Sequence, residues 1–62
     1  MSIYWIEYEV RKNNAGGLFS WKSKEVRAAN SNEAKRKAFD EFHEEGYETR
    51  GGPKCDYIPE RS

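Results

Sequence analysis

His43 and Cys55 are the one histidine and the one cysteine of the sequence, so they bound the nucleophilic and metal-binding chemistry open to the chain. A zinc site takes three or four Cys, His or carboxylate ligands at recognisable spacing, and His43, Cys55 and the surrounding carboxylates show none. A cysteine nucleophile needs a base within reach and a third group to orient that base. One Cys and one His with no further pattern do not supply this. His43 follows Phe39 by one helical turn and stands among Glu44 and Glu45, where an exposed imidazole is favoured by the negative end of a helix dipole. Asp40, Glu41, Glu44 and Glu45 read as a solvated helix face, because no deep apolar site is visible that would separate their proton affinities for acid-base work. "GG" at 16–17 and "GGP" at 51–53 lack the phosphate-loop and dinucleotide patterns and read as turns. No catalytic residue, cofactor, metal or small-molecule substrate is expected.

The remaining chemistry is recognition by a surface. The chain has 62 residues, 35% charged and 15% aromatic, which predicts one small folded domain over 1–62 with large rings supplying most of its buried area. Eleven basic and eleven acidic residues cancel, so a nucleic acid, a membrane or a protein must be met by a local patch rather than a global field. The lone cysteine, the lack of a signal-peptide pattern and the lack of a spanning apolar run lead to the expectation of a soluble protein in a reducing cytoplasm, without membrane contact.

Three kinds of element must position such a patch. Residues 3–12 are rich in Ile, Trp, Tyr and Val and alternate as a strand, with Tyr4, Ile6, Tyr8 and Val10 on one face and Ile3, Trp5, Glu7, Glu9 and Arg11 on the other. "NNAGG" at 13–17 tolerates positive φ and predicts a hairpin into a second strand over about 18–28. Asn30 or Ser31 can cap a helix, with Glu33 at capping-box spacing from Asn30. Ala34, Ala38, Phe39 and Phe42 give its apolar stripe, and Gly46 ends it. "YETR" and "CDYI" are two short strand candidates around the turn "GGP", and 59–62 reads as a frayed tail. The predicted fold is therefore α+β, in the order β-β-α-β, with a three-stranded antiparallel sheet and one helix packed on one face.

Strand two admits two pleats. If it is unbroken, Lys22 and Lys24 face the helix with Val26, and Phe19 and Trp21 join Trp5 on the open face, a patch of binding size. If a β-bulge lies between Trp21 and Val26, the two rings turn inward and the lysines come out beside Glu7 and Glu9. The bulge is preferred, since so small a domain needs those rings in its core. The open face then presents a single tryptophan beside charges, and the predicted partner-binding residues are Ile3, Trp5, Arg11, Lys22, Lys24 and Arg50.

On the helix, Lys35, Arg36 and Lys37 precede Asp40, Glu41, Glu44 and Glu45, against the macrodipole. Local pairs such as Glu33 with Lys37 and Arg36 with Asp40 offset that cost. The functional alternative is a bipolar surface with a basic end near Arg27, Lys35, Arg36 and Lys37 and an acidic end near Glu44, Glu45 and Glu48. A nucleic-acid module would stack bases on sheet aromatics and pair phosphates with Lys22, Lys24, Arg27 and Arg36. The zero net charge and Glu7 and Glu9 on the open face argue against it.

"YW" at 4–5, the Glu33-Ala34 helix start and "GYETRGGPKC" at 46–55 resemble the small RNA polymerase inhibitor proteins of T7-like bacteriophages, over about two-thirds of the chain. The β-β-α-β order also recurs in many unrelated small proteins, including several phage anti-CRISPR proteins. The resemblance implies a host-takeover protein that docks on a larger bacterial protein in the host cytoplasm and blocks it sterically. In that family, basic residues of the last strand contact an acidic surface of the polymerase β′ jaw. Arg50 is the position that carries this role over, and glycines follow where a second basic group would be expected.

Overall fold

A computed structural model describes residues 2–14 and 16–59. The chain runs β1 (Ser2–Lys12), β2 (Ser20–Ala28), α1 (Ser31–Glu44) and β3 (Tyr47–Ile58). The strands form one antiparallel sheet in the order β2-β1-β3, so the aromatic opening strand lies at its centre, as the β-β-α-β reading requires. Ala15 of the hairpin and residues 60–62 of the expected tail lie outside the described residues, and Pro59 follows β3 without regular structure.

The helix starts and stops where local chemistry directs it. Asn30 is extended (φ −155°, ψ 172°), and its Oδ1 accepts the Glu33 backbone N–H at 2.9 Å; such a cap contributes about 1 kcal/mol. At the other end Gly46 takes φ +88°, a left-handed conformation that a β-carbon disfavours, and its N–H donates to the His43 carbonyl at 3.1 Å. The Gly46 carbonyl in turn accepts the Asn13 N–H at 2.8 Å, which fastens the helix end to the exit of β1.

One face of β1 makes the core. Ile6, Tyr8 and Val10 are buried with Val26 and Ala28 of β2 and Ala34, Ala38 and Phe42 of α1. The two alanines let the helix backbone approach the sheet, and Phe42 fills the space beyond them, meeting Tyr8 and Tyr47 edge-on at centroid distances of 6.1 Å. The Tyr8 hydroxyl donates to the Lys35 carbonyl at 3.2 Å. Burial, aided by the negative charge of Asp40, raises its pKa, so the ring stays neutral and remains a donor. Phe39, expected in the stripe, stays partly exposed; it packs edge-on to Tyr8 at 5.9 Å and lies beside His43 at 4.2 Å.

Two expectations are overturned. The bulge anticipated in β2 is absent: its register with β1 is continuous from Ser2↔Ala28 to Val10↔Ser20. Lys22 and Lys24 therefore stand opposite Tyr8 and Ile6 on the helix side, while Trp21 stands opposite Glu9 on the open side. The lysines are accommodated because β2 is an edge strand and their stems can lie along rings while the ammonium reaches water or a carboxylate. Lys24 Nζ is 4.9 Å from the Phe42 ring and 2.7 Å from Glu45 Oε2, and Lys22 Nζ is 5.3 Å from the Tyr47 ring.

The irregularity lies in β3 instead. "GGP" is not a turn between two short strands but part of one strand, Tyr47–Ile58, whose pairing with β1 shifts between Glu7 and Glu9 and again between Glu9 and Val10. Extra residues on β3 are absorbed there as bulges, which an edge strand tolerates together with a proline. Gly52 has φ +97°, and a β-carbon on it would lie 2.8 Å from the Glu7 carbonyl oxygen. Only glycine fits that backbone approach. No helix among the described residues is long and apolar enough to cross a membrane.

Candidate partner-binding face

The alternation of β1 leaves Ile3, Trp5, Glu7, Glu9 and Arg11 on the side away from α1, and pairing sets a flanking residue beside each. Arg27 and Ile58 flank Ile3, Glu25 and Asp56 flank Trp5, and Ser23 and Lys54 flank Glu7. Trp21 and Gly51 flank Glu9, and Glu48 lies beside Arg11. Phe19, just ahead of β2, continues the Trp21 side of this face, where its ring meets Arg11.

The Arg11 end is tied together by its own charges. Arg50 Nη2 and Nε donate to the two Glu9 carboxylate oxygens at 2.8 and 3.3 Å. This bidentate bond, with the guanidinium charge, holds the Glu9 carboxyl below its ordinary pKa and raises that of Arg50. Arg11 Nε donates to Glu48 Oε1 at 2.6 Å, and Arg11 Nη1 donates to the Gly17 carbonyl at 3.1 Å. Both guanidiniums also lie against Phe19, with their central carbons 4.5 Å (Arg11) and 4.4 Å (Arg50) from the ring centroid. Lys54 Nζ is 4.2 Å from the centre of the Trp21 ring. These are cation-π distances.

Of the predicted partner-binding residues, Ile3, Trp5, Arg11 and Arg50 come together on this face. Lys22 and Lys24 do not, because the unbroken pleat of β2 sends them to the helix side, and Lys24 is engaged by Glu45. Three members were missing from that set: Phe19, Trp21 and Lys54. The signal for Trp21 was the period of two itself, followed from Val26 back through Lys24 and Lys22 without a break. Trp21 is 43% exposed, and Trp5 is half-buried.

The helix charges are largely local. Lys37 pairs with Glu33 at 3.3 Å, as the spacing predicts, and also donates to the Arg27 carbonyl at 2.9 Å. The acidic end anticipated for a bipolar surface is divided, with Glu45 bonded to Lys24 and Glu48 facing the open side beside Arg11. His43 is exposed against Phe39, while Cys55 is half-buried opposite Ile6 at the edge of the core. Among the described residues there is no enclosed pocket and no group of three or more metal-ligating side chains.

Compared with protein-family models, with curated proteins and with solved structures, the chain matches none.

Proposed function

We propose that this chain is a small non-enzymatic domain that binds a larger bacterial protein through the open face of its sheet, as a phage-encoded inhibitor acting sterically in the host cytoplasm. RNA polymerase is the target class that the resemblance suggests. The observation that carries the reading is that Ile3, Trp5, Phe19 and Trp21 lie on the side of the sheet that α1 leaves uncovered, among Arg11, Arg50 and Lys54. Aromatic and arginine side chains are the residue types that dominate protein-protein hot spots.

A nucleic-acid reading gains from the same rings, since the unbroken β2 puts Trp5 and Trp21 on one face. The charge on that face opposes it. Arg11, Arg27, Arg50 and Lys54 share the sheet surface with Glu7, Glu9, Glu25, Glu48 and Asp56, an excess of carboxylate where phosphate binding calls for an excess of cations.

The deciding experiment is recovery of a partner from bacterial lysate with the tagged chain, with and without nuclease. One dominant protein is expected at nuclease-insensitive yield, weakened by Trp5→Ala while the circular dichroism spectrum is unchanged. Loss of recovery after nuclease, together with oligonucleotide-induced NMR shifts on the sheet, would establish the nucleic-acid reading instead. Unfolding of Trp5→Ala would make Trp5 a support of the fold and remove it as an anchor.

A further inference from the structure

Two of the three rings on the open face already hold cations from their own chain, Lys54 on Trp21 and both Arg11 and Arg50 on Phe19. Trp5 holds none among the described residues. Its two cross-strand neighbours are both carboxylates, Glu25 on β2 and Asp56 on β3, and Glu7 is next along the same face of β1. Strands lie about 4.8 Å apart, so the two flanking strands stand about 10 Å apart with the indole between them.

The acidic groups of the face divide sharply by partner. Glu9 is bonded to Arg50 and Glu48 to Arg11, whereas among the described residues no ion pair engages Glu7, Glu25 or Asp56. Lys54, which is opposite Glu7 in register, is turned to Trp21. Arg27, beside Ile3, is the cation on the next rung. The Arg11 end is thus neutralised internally, while the Trp5 end keeps an excess of negative charge around a half-buried aromatic surface.

We propose that the Trp5 end receives an arginine or lysine side chain of the partner protein, laid over the indole between Glu25 and Asp56. The ring face attracts a cation through its quadrupole, and the flanking carboxylates add charge-assisted hydrogen bonds. The inference rests on the protein-binding reading and gives the partner's chemistry: a basic segment meets this end of the sheet. That is opposite in sign to the contact which the family resemblance implies for Arg50, whose guanidinium is already bonded to Glu9.

The test is an NMR titration of the full chain with an acetylated, amidated Arg-Gly repeat peptide, using a Glu-Gly peptide of equal length as control. Saturable shifts are expected at the Trp5 indole N–H and at the backbone of Trp5, Glu25 and Asp56 with the basic peptide alone. The double variant Glu25→Gln/Asp56→Asn, its spectrum otherwise unchanged, should weaken binding roughly tenfold, the scale set by losing a cation's partly desolvated partners. Glu41→Gln/Glu44→Gln on the helix removes the same charge and should leave binding unaltered. Shifts centred on Trp21 and Phe19, an equal response to the acidic peptide, or full binding by the Glu25/Asp56 variant would overturn the proposal. Capture of the lysate partner by that variant at undiminished yield would also overturn it while sparing the protein-binding reading. Absence of any capture by the unaltered chain would overturn the protein-binding reading itself.

Discussion

Replacing Gly52 by alanine tests the feature of β3 that brings Arg50 to the open face. The backbone at Gly52 has φ +97°, and the new β-carbon would stand 2.8 Å from the Glu7 carbonyl oxygen and 3.3 Å from Tyr8 Cα, both main-chain atoms. A non-glycine residue held in such a conformation costs about 1–3 kcal/mol, and relief of the contact must move β1, the central strand. The gain from a less flexible unfolded chain, about 0.4–1 kcal/mol, offsets only part of this. A net loss of about 2 kcal/mol is expected, a large share of the roughly 3–9 kcal/mol available to a domain this small. Gly51→Ala is the matched control. Its β-carbon would meet Glu9 Oε1 at 2.8 Å, but a carboxylate can swing aside, so the loss should stay below about 1 kcal/mol. Urea unfolding followed by tryptophan fluorescence measures both; with a slope of about 1 kcal/mol/M, the Gly52 variant should shift the midpoint by about 2 M. Equal midpoints for the two variants, or a larger loss at Gly51, would refute the bulged path assigned to β3.

Phe42→Ala, which removes the largest fully buried side chain, should cost about 3–5 kcal/mol and leave the chain largely unfolded by circular dichroism. Asn30→Ala should lower stability by about 1 kcal/mol in thermal melts, with Asn30→Asp close to the unaltered chain. The pH dependence of Glu9 has a definite sign. Its folded carboxyl is depressed by the Arg50 hydrogen bond, so its contribution is complete above the ordinary glutamate value near pH 4 and is lost as pH falls through the lower folded value. Glu9→Gln should remove that portion of the acid sensitivity in urea titrations run at a series of pH values, and an unchanged acid limb would count against the pair.

The sequence made the architecture legible because its strongest signals are local. Tyr4, Ile6, Tyr8 and Val10 fit only a period of two, and Asn30, Glu33 and Gly46 bracket α1 through contacts within a few residues of themselves. Half of the open face was legible for the same reason, since the other side of β1 had to carry Ile3, Trp5 and Arg11. The pleat of β2 was not, because two lysines directed toward a helix look unfavourable until Phe42, Tyr47 and Glu45 are in place to receive them. Those partners come from α1, from the turn after it and from β3, beyond the reach of any local pattern. "GGP" misled in a related way: glycine and proline punctuate turns, yet at the edge of a sheet they also let a strand carry surplus residues without leaving its neighbour.

The pairing of Ile3 with Ile58 bears on how the molecule comes into being. β1 emerges early from the ribosome and can form a hairpin with β2 at once, but its other side has no neighbour until β3 follows. For that interval a strand rich in Ile, Tyr and Trp has one edge bare. Assembly therefore has to finish after synthesis of β3, with a long loop closed in a late step. A stalled nascent chain that keeps Tyr47–Ile58 inside the ribosome tunnel would hold the molecule in that half-paired state, the point in its life when it is most exposed to aggregation.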